Sequence, residues 1–240
     1  MRNVLVLAVA LALVTGCGGP VKTTPSAAAP TATRATPSAT ETGGAGAQRV
    51  PSHGGPLEPG RYFVPRGPWT PATFSFTMPA GWTAENLGQS ISKNPNVEGR
   101  EVGWSVLIVD RLFAHPCGAD DTLEVGPTAA DLASALVALP GVDLLESIDI
   151  TVDERTGKRL TLTAEAGIEE ADCDPPIGLQ IWLDRSGNKY FVLGPGRSSW
   201  VTMVDHENGR FVIVWGANPT AAPGDVAELI AIIDSIRFEP

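Results

Sequence analysis

The chemistry-bearing side chains of this chain gather around two cysteines. Glu165, Glu169, Glu170, Asp172 and Asp174 surround Cys173, and Asp120, Asp121 and Glu124 follow Cys117. Hard cations such as calcium take several oxygen ligands from flexible loops, so Glu169, Glu170, Asp172 and Asp174 form a candidate weak cation site. Their spacing is not that of an EF-hand loop, and the plain alternative is a solvated acidic face. The three histidines are scattered: His53, His115 before Pro116-Cys117, and His206 between Asp205 and Glu207. Neither H-E-x-x-H, nor G-x-S-x-G, nor a P-loop occurs. Ser198 and Ser199 follow Gly194-Pro195-Gly196-Arg197, a glycine-rich run without the spacing that cradles phosphate. A nucleophile needs a base within hydrogen-bond reach. Distant residues can supply one, so a hydrolase stays open as an alternative, but no catalytic residue, cofactor or confident metal ligand is assigned.

The third cysteine has a different setting. Arg2 precedes eleven apolar residues, Val4 to Val14. As a helix they rise about 16 Å, roughly half a bilayer core, which suits a secretory signal over residues 1–16 rather than a spanning helix. Leu13-Val14-Thr15-Gly16-Cys17 resembles the lipobox of bacterial lipoproteins. That resemblance implies diacylglycerol on the Cys17 thiol, cleavage before it and acylation, such as palmitate, on the new amine. The plain alternative is an ordinary signal with a chance cysteine. Two or more acyl chains hold a protein stably, where one is marginal. The expected location is the extracytoplasmic face of the cell membrane. In that oxidising compartment the remaining pair, Cys117 and Cys173, reads as a disulfide, the alternative being two buried thiols. Such a bridge closes a loop of about 57 residues and contributes roughly 4 kcal/mol in the chain-entropy model. No C-x-x-C motif is present, so the bridge reads as structural.

The full chain carries 27 acidic and 17 basic side chains, a net charge of -10. This surface argues against nucleic acid or anionic lipid as a direct partner. After Cys17, residues up to 57 are rich in Ala, Thr, Pro, Gly and Ser and cannot bury enough surface to offset their ordering entropy. Residues 17–57 therefore read as a lipidated cysteine on a tether reaching roughly 35 Å. Its Thr and Pro composition suits O-linked sugars. Residues 58–240 then form one domain.

These elements must position the candidate residues. Phe74 and Phe76 alternate with polar neighbours as a half-buried strand, and Trp104 to Val109 reads as a central strand. Thr128 and Asp131 make a capping box for a helix that buries Leu132, Leu136 and Leu139 and ends at Pro140-Gly141. Ile148, Ile150 and Val152, then Leu160 and Leu162, predict two strands joined by a turn at Thr156-Gly157. Leu179–Leu183 and Lys189–Leu193 predict a hairpin around residues 185–188. Trp200–Val204 and Arg210–Trp215 predict another around Asn208-Gly209. Val226, Leu229, Ile230, Ile233 and Ile236 predict a closing helix, with Asp225 and Glu228 as caps. The natural solution is an α+β fold, a largely antiparallel β-sheet with helices packed on it; a β-sandwich is the runner-up. Trp104, Trp182 and Trp215 are expected in the core and Trp82 at the sheet edge, with Trp69 and Trp200 as surface candidates.

Pro59-Gly60-Arg61-Tyr62, Phe76-Thr77-Met78-Pro79-Ala80-Gly81-Trp82, Gly126-Pro127-Thr128 and Ile233-Asp234-Ser235-Ile236-Arg237-Phe238 resemble a group of uncharacterised secreted and lipid-anchored proteins of high-GC Gram-positive bacteria. Their cysteines sit where Cys117 and Cys173 sit. The closing helix and the early Pro-x-Gly-Trp are also similar to the PsbP-like α/β/α sandwich superfamily, with its LpqN-type lipoproteins. The resemblance implies an envelope location and a binding or assembly role, and brings no catalytic residues. The expected function is thus a lipid-anchored, non-enzymatic binding or accessory module. Its partners would be the membrane through the anchor, an envelope protein or a small ligand, and no nucleic acid. The alternatives are a carrier of a small apolar molecule or lipid, and a cell-envelope hydrolase.

Overall fold

The computed structural model describes residues 46–240 except 86–87, 96, 98–99, 119, 175, 177, 185–188, 195–196 and 208, and leaves the side chains of 120, 170 and 189–192 undescribed. In chain order the strands are β1 (Gln48–Arg49), β2 (Gly55–Leu57), β3 (Gly60–Val64), β4 (Phe74–Met78), β5 (Trp82–Glu85), β6 (Ser90–Lys93), β7 (Val102–Leu107), β8 (Arg111–His115) and β9 (Asp120–Glu124). Helix α1 (Ala129–Val137) follows, then β10 (Val142–Val152), β11 (Arg155–Ala164), β12 (Leu179–Leu183), β13 (Lys189–Leu193), β14 (Ser198–His206) and β15 (Gly209–Ala217). Helix α2 (Pro223–Asp234) and β16 (Arg237–Phe238) close the chain.

A central eight-stranded antiparallel sheet runs in the order β10-β11-β14-β15-β7-β6-β5-β2. One face meets the small sheet β1-β3-β4-β16 and α2. The other meets α1 and the small sheet β13-β12-β8-β9. The fold is α+β and dominated by strands. Both helices pack on the central sheet rather than leaving a two-sheet sandwich. Among the described residues no helix is long and apolar enough to cross a membrane.

Aromatic packing seals the first face. Phe76 meets Trp104 edge-on at 5.3 Å, and Phe74 meets Phe211 at 5.0 Å. Leu229, Ile232 and Ile233 of α2 fill the remaining space. On the second face Leu132 and Leu136 of α1 pack on Leu160, Leu162 and Met203, beside Ile181 and Trp182 of β12.

Several expectations are corrected. Residues 48–57 carry strands rather than tether: β1 pairs with β3, β2 pairs with β5, and Val50 and Leu57 are core residues. The turn between β10 and β11 is Asp153-Glu154, both at positive φ (47° and 63°), because Val152 pairs with Arg155. Asp tolerates that conformation, and tertiary contacts hold it: the Asp153 carboxylate accepts from Phe238 N at 2.8 Å. Gly157 lies inside β11, where a Cβ would stand 2.0 Å from the Met203 carbonyl; the glycine permits strand contact, not a turn. The next hairpin pairs His206 with Gly209, so Gly209 belongs to β15, and Asn208 lies outside the described residues. The expected turn at 185–188 also lies outside them.

The capping box of α1 forms as expected: Asp131 N donates to Thr128 Oγ1 and Thr128 N to Asp131 Oδ2, both at 3.0 Å. That of α2 does not. Its N-cap is Ala222 with Pro223 behind it, and the side chains of Asp225 and Glu228 turn to β6. The Lys93 ammonium lies 2.7 Å from each carboxylate; Trp82 Nε1 donates to Glu228 at 3.1 Å and Asn94 to Asp225 at 3.0 Å. Trp82 is thus fully buried under α2 rather than plugging an edge. In α2 the buried residues are Leu229, Ile232 and Ile233, while Ile230 is exposed.

Candidate functional site

Side chains alternate between the faces of a strand, so cross-strand register decides which of them meet. Across β14, β15, β7, β6 and β5 one row reads Trp200, Trp215, Trp104, Ile91, Ala84. It faces the core under β3, β4 and α2, and Trp200 stacks on Trp215 with ring centres 4.6 Å apart. The neighbouring rows point the other way. One reads Ser199, Gly216, Gly103, Ser92, Thr83, and the other Val201, Val214, Ser105, Ser90, Glu85.

These small residues floor an open trough of about 400 Å³ on the part of the second face that α1 and β12 leave bare. Five strands at ~4.8 Å spacing make it roughly 19 Å long. Ser90 and Ser105 hydrogen-bond to each other through their hydroxyls at 2.8 Å. Gly103 has no room for a side chain, since a Cβ would lie 2.9 Å from the Ile91 carbonyl. Gly216 is the reverse: a Cβ there would meet nothing within 4 Å. Its missing side chain keeps the trough open rather than relieving a clash.

Polar groups line the rim. Glu85 and Glu101 stand on the β5 and β7 side, Arg197 and Ser198 on the β14 side, and Asn218 closes the end of β15. Asn218 N donates to the Glu101 carbonyl at 2.9 Å, and Thr163 Oγ1 donates to the Arg197 carbonyl at 3.1 Å, so both walls are tied to the sheet. Partial loss of solvent, and then the charge of Glu85, push the Glu101 carboxyl up from its usual range. The trough thus offers hydroxyls, exposed sheet backbone and charge of both signs. Its lining contains no histidine.

The residues singled out from sequence fall in several places. Cys117 and Cys173 form a disulfide that bridges β8's end to the loop before β12, and Asp174 N donates to the Cys117 carbonyl at 2.8 Å. Cys173 is buried in the core beside Leu179. Glu169, Asp172 and Asp174 are exposed, and Glu170 begins a short 3-10 turn. Among the described residues no three His, Cys, Asp or Glu side chains come together as a metal site. Cys17 lies outside the described residues. His115 is exposed, while His206 is half-buried with its ring 5.4 Å from Phe238. Burial, then Arg155, hold His206 below the usual histidine range. Trp200 is half-buried, stacked on Trp215 against the core rather than standing free on the surface.

Sequence reasoning reached Arg197, Ser198 and Ser199 but tested them only for phosphate binding. It missed Ser90, Ser92, Gly103, Ser105 and Gly216. The available signal was the alternation of small and aromatic residues in Gly103-Trp104-Ser105 and Val214-Trp215-Gly216, two strands with the same two-faced pattern.

No protein-family model matches the chain, and no curated protein does. Among solved structures it is similar to the cyanobacterial PsbP protein (CyanoP) of Synechocystis sp. PCC 6803. The identity is 12% and the TM-score 0.35, over 82% of this chain and 96% of that one.

Proposed function

We propose that the protein is a lipid-anchored, extracytoplasmic binding or accessory module without enzymatic activity, and that the trough across β14, β15, β7, β6 and β5 is its binding surface. The observation that carries this reading is the trough itself. A concave surface with convergent polar groups, held on a rigid sheet and kept open by glycine, can serve as a recognition site. The anchor rests on the resemblance of Leu13 to Cys17 to a lipobox. The PsbP-like, LpqN-type assignment rests on the motifs quoted from the sequence. A hydrolase is disfavoured because Ser90 and Ser105 bond to each other and no histidine lines the trough. A carrier of apolar cargo is disfavoured because α2 packs directly onto the sheet through Leu229, Ile232 and Ile233.

The test places a photo-crosslinking side chain at Ser92, in the trough, and at exposed Thr77, outside it, in intact cells. Capture of one envelope protein or small ligand from Ser92 alone, abolished by Gly216→Phe, is the expected result. Equal capture from both positions, or capture indifferent to Gly216→Phe, overturns the reading. For the anchor, Cys17→Ser should prevent incorporation of labelled palmitate; persistent labelling would show that lipid sits elsewhere.

A further inference from the structure

The central sheet has two edges, and they are finished differently. At one end β2 is only three residues, Gly55-Pro56-Leu57, and its central proline has no N–H to offer. At the other end β10 runs for eleven residues and contains no proline, glycine, lysine or arginine. Among the described residues it pairs only with β11. Alternate residues of such a strand turn N–H and C=O away from their neighbour, so the outer side of β10 is a row of unpaired backbone groups. Its register with β11 is unbroken over residues 146–152, roughly 24 Å of regular edge.

The side chains along this edge are unshielded too. Residues 143–149 are all exposed, with Leu144 at 39%, Leu145 at 58% and Ile148 at 38%. Short length, proline and lysine are common ways to blunt an edge, and β10 has none of them. It carries carboxylates instead: Asp143, Glu146 and Asp149. Asp143 and Glu146 stand opposite Thr163 and Thr161 and so share one face. Leu144, opposite Leu162, lies on the face that α1 covers, where Val137 is exposed as well. The cations of β11 are committed elsewhere: Lys158 to Asp149 at 2.6 Å, Arg159 to Asp234 at 3.3 Å, and Arg155 over the Phe238 ring. Among the described residues no ion pair involves Asp143 or Glu146. A second copy paired here would bring three carboxylates from each strand to one seam, and like charges across a strand pair destabilise it. The edge therefore repels its own kind and suits a cationic strand.

We propose that β10 is the docking edge for an extended basic segment of a partner protein, which adds to the sheet as a further strand. Its lysine or arginine side chains lie over Asp143 and Glu146, and its alternate apolar side chains lie beside Leu144. In this mode main-chain hydrogen bonds supply affinity and the alternating side chains supply specificity. The aliphatic stems of the cations cover Ile148, which stands opposite Arg159 on the carboxylate face. β10 lines no part of the trough, so this edge works or fails independently of it.

The experiment is titration of the full-length protein with a short peptide that alternates lysine and valine, followed by binding heat and by backbone amide exchange. One control peptide carries glutamate in place of lysine. The other carries proline in place of valine, which keeps the charge but cannot form a strand. The lysine–valine peptide should bind saturably and slow the exchange of alternate amides in residues 146–152, and neither control should do so. Glu146→Lys should raise the Kd about three- to tenfold, the loss of one cross-strand charge pair and its replacement by repulsion. The Glu146 side chain is exposed, and unchanged melting of the variant checks that it folds. Equal binding of either control, binding that leaves those amides unprotected, an unchanged Kd in Glu146→Lys, or no binding of the lysine–valine peptide would each overturn the proposal. Protection of the same amides that grows with protein concentration alone would put a second copy on the edge and overturn it as well.

Discussion

The two faces of the central sheet are built from the same strands and could hardly differ more. One presents Trp200, Trp215 and Trp104 in a single row and is sealed by β3, β4 and α2. The other presents Ser199, Gly216, Gly103 and Ser92 one residue along and stays open. At this end of the sheet the strands carry bulk on one side only, so packing there comes from the aromatic face, while further along the same strands Val201, Met203 and Val212 pack under α1 and β12. The small-residue face is released from packing duty. A binding surface can therefore change there without loss of the fold.

The sharpest way to break this contrast is to exchange neighbours. Trp104 is 2% exposed and touches Phe74 and Phe76. Trp104→Ala should cost about 3–5 kcal/mol in urea unfolding. Gly216→Phe should cost less than about 1 kcal/mol, because its new side chain enters open space. If the two variants were equally destabilised, the division of labour between the faces would be wrong.

A second contrast lies within the open face, between its covered and bare halves. The Cys117–Cys173 bridge belongs to the covered half. Replacing both cysteines by serine should lower stability by about 2–4 kcal/mol and leave crosslinking from Ser92 intact. Loss of capture from the folded variant would mean that the halves are coupled.

The aromatic face also carries a charged clamp. Burial of the Lys93 ammonium works against its charge, but hydrogen bonds to Asp225 and Glu228 outweigh it and raise Lys93 above the ordinary lysine range. A group raised on folding adds stability below its unfolded pKa and loses it as pH climbs through the folded value. The wild-type urea midpoint should therefore fall above about pH 10, and Lys93→Met should not show that step. The variant itself should lose about 1–2 kcal/mol at neutral pH.

The smallest effect belongs to the trough. Glu101 is raised by partial desolvation and by Glu85, so its charged form is mildly unfavourable in the fold. Its contribution therefore declines as pH rises from the ordinary carboxyl range through the higher folded value. Glu101→Gln should remove that slope and gain well under about 1 kcal/mol at neutral pH, since solvent screens an exposed carboxylate. Identical pH profiles for the two proteins would show that Glu101 is not held in a desolvated trough.

Local patterns were readable wherever one element supplied every participant. The Thr128–Asp131 capping box and the Leu132, Leu136 and Leu139 stripe formed as expected. Patterns that depended on a partner element were misread. Asp225 and Glu228 looked like caps, but Lys93 of β6 claims them. Thr156-Gly157 looked like a turn, but contact with β14 needs that glycine, and the reversal falls at Asp153-Glu154. Trp200 looked superficial until Trp215 was placed beside it.

What the amino-acid sequence determined by itself is the period of each segment, the α+β class and which residues can bury apolar surface. These follow from dihedral geometry within one element, where three to four residues make a helical turn and two make a pleat. What only the tertiary structure decided is the order β14-β15-β7-β6-β5, and with it both the tryptophan row and the serine–glycine trough. Ser92 and Ser199 are more than a hundred residues apart along the chain, and only strand register brings them to one floor. Register is set by the sum of contacts across the whole sheet, a quantity that no single stretch of sequence contains.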